Sequence, residues 1–472
     1  MSPIAKAHNV APLFFHVGGR ISPISIRDQM VRTQMLVERL FERLAPVNRE
    51  VPLKVLVVGA GAAGVTAAMT AAQLGYSTTL VDKESQAFSL QRRCLTRWID
   101  PTVYDWPAAH WDEGDFPWLN VPAPPLPWTH DWAHQLAVSL AIRLANAQAL
   151  MPWLDVQLGV LARTPQLFWY PMAMPMPGLP FDWPGLPAWR TEFVDPVTQQ
   201  SRGHECFNIV IIAAGFGREN CIVPQEYRGF AFWETDEFAL PDCGLPREPE
   251  IVISGGGDGA LQDFLRIVFR GARADTLIRR FRIPFALQHM LREAEDFASR
   301  GYHWNTGRGP SDHQILHSLE QSHLNVVNAA IERPAIRKAL EKHIPDRFPK
   351  IKIIHSCKHF GQAYPPNRFL VLLILAYLAR FRNRNDVRMN NSRLASVQGV
   401  GPHHCHQNPH DCHGEDHEVH VVQAPSCWGP NGAPLTEPLT AQVVIIRHGP
   451  RAALPPWLSL PKPRQVLPYL PV

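Results

Sequence analysis

The sequence predicts an α/β protein built on two parallel βαβ units, and three stretches carry that expectation. They are LKVLVVGAGAAGVTAAMTAAQLGYSTTLVDKES at 53–85, FNIVIIAAGFG at 207–217 and PEIVISGGGDGALQDFLR at 249–266. Each holds a short apolar run that stops at a glycine, and the first and third then pass into a helical pattern. At 472 residues the chain is long enough for two or three domains with separate cores. A hydrophobic content of 46% with 19% charged residues describes a folded globular protein. The net charge of +4 is small for this length, so nothing global calls for nucleic acid or an anionic membrane.

The first residues, MSPIAKAHNVAPLFF, lack a charged segment, a long apolar run and a small-residue cleavage site in succession. The expectation is a cytoplasmic protein without a secretory signal. Ile26, Met30, Val37, Leu40, Phe41 and Leu44 recur at helical spacing behind a Ser25/Asp28 cap, so residues 1–50 read as a helical extension. Residues 51–110 read as the first half of a nucleotide-binding unit. Val55–Val58 is its first strand, Gly59-Ala60-Gly61-Ala62-Ala63-Gly64 turns into an Ala-rich helix, and Ser77–Val81 is a second strand ending at Asp82 and Lys83. Gly59 permits the tight turn, Gly61 lets backbone amides approach a pyrophosphate, and Gly64 lets the helix pack closely on the sheet. The helix N-terminus attracts the phosphates, and the Asp82 carboxylate suits the hydroxyls of an adenosine ribose. Strand, glycine turn, helix, strand and acid together make a specific dinucleotide fingerprint.

Prolines and tryptophans crowd 106–189, and proline at that density argues against long helices there, so residues 111–205 read as a cap of wrapped loops. Residues 206–245 then contain an apolar strand ending at Ala213-Ala214-Gly215. The third stretch begins residues 246–450, read as a second nucleotide unit with a helical and His-rich insertion, in which Gly255, Gly257 and Ala260 form a second G-x-G-x-x-A phosphate turn after the strand Glu250–Ser254. FLVLLILAYLA at 369–379 is too short to cross a bilayer and reads as a buried helix or strand. The 8 cysteines include no C-x-x-C pair and suggest reduced thiols. No internal repeat of fixed period is evident.

Residues 51–82 resemble the FAD-binding unit of the two-dinucleotide-domain flavoproteins, a group that holds disulfide reductases, flavin-containing monooxygenases and amine-hydroxylating enzymes. That group usually carries Glu where this chain has Asp82, which leaves NAD open at the same site. The resemblance implies that the strand before Ala214 and Gly215 returns to the FAD unit, and that the loop after the acid brings Gln91, Arg92 and Arg93 along the cofactor. Cys94, beside these arginines, is either a reactive or a buried thiol. The third stretch is similar to the nicotinamide-nucleotide unit of thioredoxin-reductase-like enzymes. There the next strand ends in arginines that grip the 2'-phosphate of NADPH, a role that falls here on Arg279 and Arg280, with a solvated basic edge as the plain alternative. The implied cofactors are FAD and NAD(P)H. The implied activity is hydride transfer from NAD(P)H to FAD followed by reduction or oxygenation of a small molecule. The competing expectation is a non-catalytic protein that binds or senses dinucleotides.

Three features sit apart from that pattern. Residues 447–451, RHGPR, spell a histidine-phosphatase signature, but such a motif belongs on a first strand with catalytic residues downstream, and only a proline-rich tail, 451–472, follows. The resemblance to the two-dinucleotide flavoproteins instead makes Gly449 the turn glycine closing the second unit, with His448 read as a neutral turn histidine and a flavin- or substrate-facing role as the alternative. PHHCHQNPHDCHGEDHEVH, 402–420, offers zinc-type ligands without zinc-finger spacing and reads as a polar insertion loop, with a metal site as the alternative. Finally, the tail lacks the Gly-Asp pair with which the resembling flavoproteins hold the ribityl chain, and the fingerprint F-x-G-x-x-x-H of N-hydroxylating and Baeyer-Villiger enzymes is absent from the sequence.

Overall fold

The computed structural model describes residues 3–17, 25–50, 53–100, 106, 126, 128–171, 185–215, 219–221, 227, 229–236, 250–269, 273–301, 310–361, 363–399, 417–423 and 437–449. The described residues of Met1–Cys94 and Gly114–Gly217 form one compact unit, and those of Leu95–Glu113 and Arg218–Pro450 form a second.

The first unit is built on a six-stranded sheet of β1 (Asn9–Ala11), β2 (Phe14–His16), β3 (Lys54–Val58), β4 (Ser77–Asp82), β5 (Leu154–Leu158) and β6 (Ile209–Ile212). Its spatial order is β1-β2-β6-β3-β4-β5, parallel throughout except for the β1–β2 hairpin. Val55, Leu56, Val57 and all of Ile209–Ile212 are buried, as expected of inner parallel strands covered on both faces. Helix α1 (Ile26–Glu50) begins on a reciprocal cap: the Ser25 Oγ accepts from the Asp28 N–H, and the Asp28 Oδ2 accepts from the Ser25 N–H, both at 3.1 Å. Helix α2 (Ala62–Gln73) buries Ala67, Ala68, Ala71 and Ala72, and these small side chains let α1 pack against it.

Two expectations change here. The N-terminal extension is not purely helical, because Asn9–Ala11 and Phe14–His16 enter the sheet. The expected cap of loops contains the 18-residue helix α3 (Ala133–Leu150), and β5 is a member of the nucleotide-unit sheet. The reason is local: 133–150 holds no proline, and Ala133, Leu136, Ala137, Leu140, Leu144 and Ala147 are buried at helical spacing. Among the described residues, Leu161–Ala162, Gln166–Pro171, Gly185–Val194 and Ser201–Phe207 form an antiparallel sheet. Its Trp189 meets Phe14 edge-on at 4.7 Å and donates Nε1–H to the Pro12 carbonyl at 3.0 Å.

The second unit has a four-stranded parallel sheet of β7 (Glu250–Ser254), β8 (Lys350–Ile354), β9 (Arg388–Met389) and β10 (Val443–Ile446), in the order β9-β8-β7-β10. Helix α4 (Asp258–Val268) follows β7. Then α5 (Ala274–Phe281), α6 (Phe285–Gly301), α7 (Pro310–Ile331) and α8 (Pro334–His343) intervene before β8. Their apolar positions Leu277, Phe281, Leu291, Val327 and Leu340 share one core with α9 (Pro365–Arg382), the buried helix made by FLVLLILAYLA. Among the described residues no helix is long and apolar enough to cross a membrane. Leu95–Ile99 belongs to this second unit rather than to the first half of the FAD unit, where the sequence reading placed it.

Candidate dinucleotide sites

The first site lies where β3 turns into α2. Gly59 has φ +108°, and a Cβ there would stand 2.4 Å from the Ala213 carbonyl oxygen, so the turn requires glycine. A Cβ on Gly64 would stand 1.7 Å from the Gly59 oxygen. Gly61 differs: a Cβ there would meet nothing within 4 Å, and it begins α2 without a side-chain cap. Open space in front of uncapped helix amides is the arrangement that receives a phosphate. Ala60 is fully buried, whereas Ala62 and Ala63 are partly exposed at the helix start.

Asp82 closes the other side. Its Oδ2 accepts from the Ala60 N–H at 2.5 Å and its Oδ1 from the Glu84 N–H at 2.8 Å, so the carboxylate also fixes the turn. Burial raises its pKa, and these two amide hydrogen bonds oppose the rise. Lys83 is exposed. The Phe88 N–H donates to the Ala60 carbonyl at 2.8 Å and brings the short helix Ser89–Arg92 to the turn. Gln91 and Arg92 are partly buried there, and the Arg92 Nε lies buried without a hydrogen-bond partner. Arg93 pairs with Glu84 at 2.6 Å, and Cys94 is fully buried. Beyond β6, Ala214 and Gly215 are exposed and Gly215 has φ +82°, a left-handed turn beside Gly59. The residue types and spaces at 59–92 therefore fit a bound dinucleotide.

The second unit repeats the construction. Gly255 has φ +145°, and a Cβ there would stand 2.4 Å from the Arg447 oxygen; Gly257 has open space, and Ala260 is fully buried under α4. Gly257 starts α4 without a side-chain cap. Asp258, in its first turn, accepts the Tyr364 N–H at 2.7 Å and the Asn367 Nδ2–H at 2.9 Å, tying α9 to the turn. β10 ends in Arg447-His448-Gly449, with Gly449 at φ +74°, as β6 ends in Ala213-Ala214-Gly215. The expected turn glycine thus has the required backbone geometry.

Arg447 and His448 of the RHGPR stretch serve this turn. Arg447 is buried; its Nε donates to Asp263 Oδ2 at 2.8 Å and its Nη1 to the Phe230 carbonyl at 2.7 Å and the Ile446 carbonyl at 3.1 Å. Arg97 and Arg266 also bind Asp263. Burial alone would raise the Asp263 pKa, but Arg97, Arg447 and Arg266 together hold it well below the usual carboxylate range. The His448 Nε2 lies 2.7 Å from the Ser254 Oγ. Arg451 lies outside the described residues.

Arg279 and Arg280 are not at a strand end. They occupy the last turn of α5, exposed, with Arg279 paired to Asp275 at 2.5 Å. Among the described residues the strand that follows the second glycine turn is β8, reached only after α5–α8, and it ends at Ile354, ahead of His355-Ser356-Cys357-Lys358. Of the histidine-rich tract, 402–416 lie outside the described residues; His417 is buried in the strand His417–Gln423. Among the described residues no group of three or more His, Cys, Asp or Glu side chains is set to hold a metal. The sequence reading missed two features: His16 at the end of β2, and the Arg97–Asp263–Arg447 network. Single residues far apart in the chain gave no local signal for either.

Residues 54–91, which hold the first site, match the family described as FAD binding domain. No curated relative matches the chain. Among solved structures, the thioredoxin reductase of T. acidophilum is similar at 14% identity and TM-score 0.34, over 84% of this chain and 77% of that one. The bacillithiol disulfide reductase from Staphylococcus aureus is similar at 10% identity and TM-score 0.38, over 84% and 76%. The reduced ornithine hydroxylase from Pseudomonas aeruginosa is similar at 11% identity and TM-score 0.36, over 86% and 84%.

Proposed function

We propose that this protein, whose residues 54–91 match the FAD binding domain family, is an FAD-dependent oxidoreductase that takes hydride from NAD(P)H and reduces or oxygenates a small molecule. One observation carries the reading. Both units build the same phosphate turn: a left-handed glycine under a return-turn carbonyl, an open second glycine at an uncapped helix start, and a small third residue. Two such turns in one chain suit a pair of dinucleotides, one of them FAD.

Bound FAD supplies two-electron acceptance, and the protein supplies placement. The α2 amides behind Gly61 receive the pyrophosphate, Asp82 shapes the turn and faces the adenosine side, and the unmet Arg92 Nε offers a further donor. In the second unit Gly255, Gly257 and Ala260 take the corresponding tasks for the nicotinamide nucleotide.

The test is a visible spectrum of the purified protein, followed by anaerobic mixing with NADH and NADPH. A flavin spectrum that bleaches with either nucleotide is the expected result. Gly61→Val fills the open space at the turn and should abolish FAD binding while leaving the fold intact. Failure of excess FAD to bind, or unchanged affinity in Gly61→Val, would refute the assignment of this site.

A further inference from the structure

β2 delivers a histidine to the ligand-binding edge of the first sheet. It runs parallel to β6 with His16 beside Ile212, and the Val17 N–H donates to the Ile212 carbonyl at 2.8 Å. His16 therefore stands at the carboxyl end of the parallel strands, the edge at which open α/β sheets take their ligands. His16 is 1% exposed, and among the described residues neither Nδ1 nor Nε2 has a hydrogen-bond partner. Two unmet polar atoms on a buried ring are costly unless a ligand meets them.

The strand order indicates which ligand. Asp82, at the end of β4, marks the adenosine side; Gly61 and the α2 amides, after β3, mark the pyrophosphate. A dinucleotide laid along this edge continues from β3 over β6 to β2. Neighbouring strands are about 4.8 Å apart, so β2 lies about 10 Å beyond β3, a distance that suits the half of FAD beyond its pyrophosphate. Between them, the described residues of the turn after β6 include Ala214 and Gly215, both small and exposed.

We infer that His16 is a cofactor contact, one imidazole nitrogen hydrogen-bonding to the ribityl–isoalloxazine half of bound FAD. The inference rests on the FAD reading of the same unit. Burial lowers the His16 pKa to about 4, so the ring is neutral at pH 7, with one N–H and one lone pair. That pairing suits hydroxyl and carbonyl groups better than a phosphate. His8, fully buried behind it, makes a 3.0 Å hydrogen bond from Nδ1 to the His16 carbonyl and anchors the strand end.

The test uses the full chain with His16→Phe and His16→Gln. Phenylalanine keeps a ring and removes both polar atoms, whereas glutamine retains a donor and an acceptor. For His16→Phe the flavin-free protein should melt at or above the wild-type temperature, while FAD binds about three- to tenfold more weakly, the loss of one neutral hydrogen bond. The bound flavin's absorbance bands should shift, and His16→Gln should recover part of the affinity. If wild type binds FAD and both variants keep its affinity and spectrum, the His16 assignment alone is overturned. A flavin-free His16→Phe that melts well below wild type also overturns it, because the ring's partners would then lie within the protein. If wild type binds no FAD, the FAD reading fails first and this one with it.

Discussion

Arg447→Met tests the two readings of RHGPR against each other. The Arg447 side chain is 3% exposed, and its guanidinium holds Asp263 together with the carbonyls of Phe230 and Ile446. Methionine keeps an unbranched stem of similar reach and removes every donor. Breaking a buried ion pair by deleting one partner costs about 3–5 kcal/mol. Asp263 keeps Arg97 and Arg266, so the lower end applies, about 3 kcal/mol. At about 2–4 °C per kcal/mol for a domain of this size, the melting temperature should fall by about 6–12 °C. Differential scanning calorimetry reads this, and hydrolysis of p-nitrophenyl phosphate is measured alongside. Neither protein should hydrolyse the ester. A variant as stable as wild type, or a wild-type phosphatase activity that the substitution removes, would refute the structural role.

Two further expectations concern charge. Replacing Arg279 and Arg280 together by Ala should leave flavin reduction by NADH and NADPH equally unchanged, since Arg279 pairs within its own helix at 2.5 Å and both side chains face solvent; stopped-flow rates that fall for NADPH alone would return these residues to the 2'-phosphate. His8 and His16 have pKa values lowered by burial to about 3 and about 4. Their folded values lie below the unfolded one, so the stability tied to the neutral rings is complete above about pH 6.5 and is lost as pH falls toward 4. At pH 5 each ring contributes a loss of about 2 kcal/mol. Urea unfolding at pH 7.5 and pH 5 should show a smaller loss for His8→Leu than for wild type, and equal losses would contradict the burial argument.

The glycine turn after β3 was legible because its glycines answer to separate physical demands. Gly59 has to adopt positive φ beneath Ala213, Gly64 has no room for a Cβ, and Gly61 fronts open space. The second turn was legible for the same reason. What failed was connectivity. Reading Arg279 and Arg280 as a strand end assumed that the second strand follows its helix directly, yet α5–α8 intervene before β8. Leu277 and Phe281, four apart and both buried, carry the helical signal that the neighbouring arginines obscure. Helix α3 was hidden by the prolines on either side of 133–150. β2 is three residues long, too short for any periodicity, and only its pairing with β6 identifies it.

That pairing also has a consequence for the order of assembly. Phe14–His16 is made early, but its parallel partner Ile209–Ile212 leaves the ribosome nearly two hundred residues later. At about 5–20 residues per second, translation separates the two by about 10–40 s. From the emergence of β4 to the end of that interval, β3 can pair with β4 but leaves its other edge open, presenting the unpaired backbone of an apolar strand. The nascent chain is therefore most exposed to chaperones and to sticking just before the return strand emerges, and the first unit acquires its N-terminal edge only as one of its last folding events.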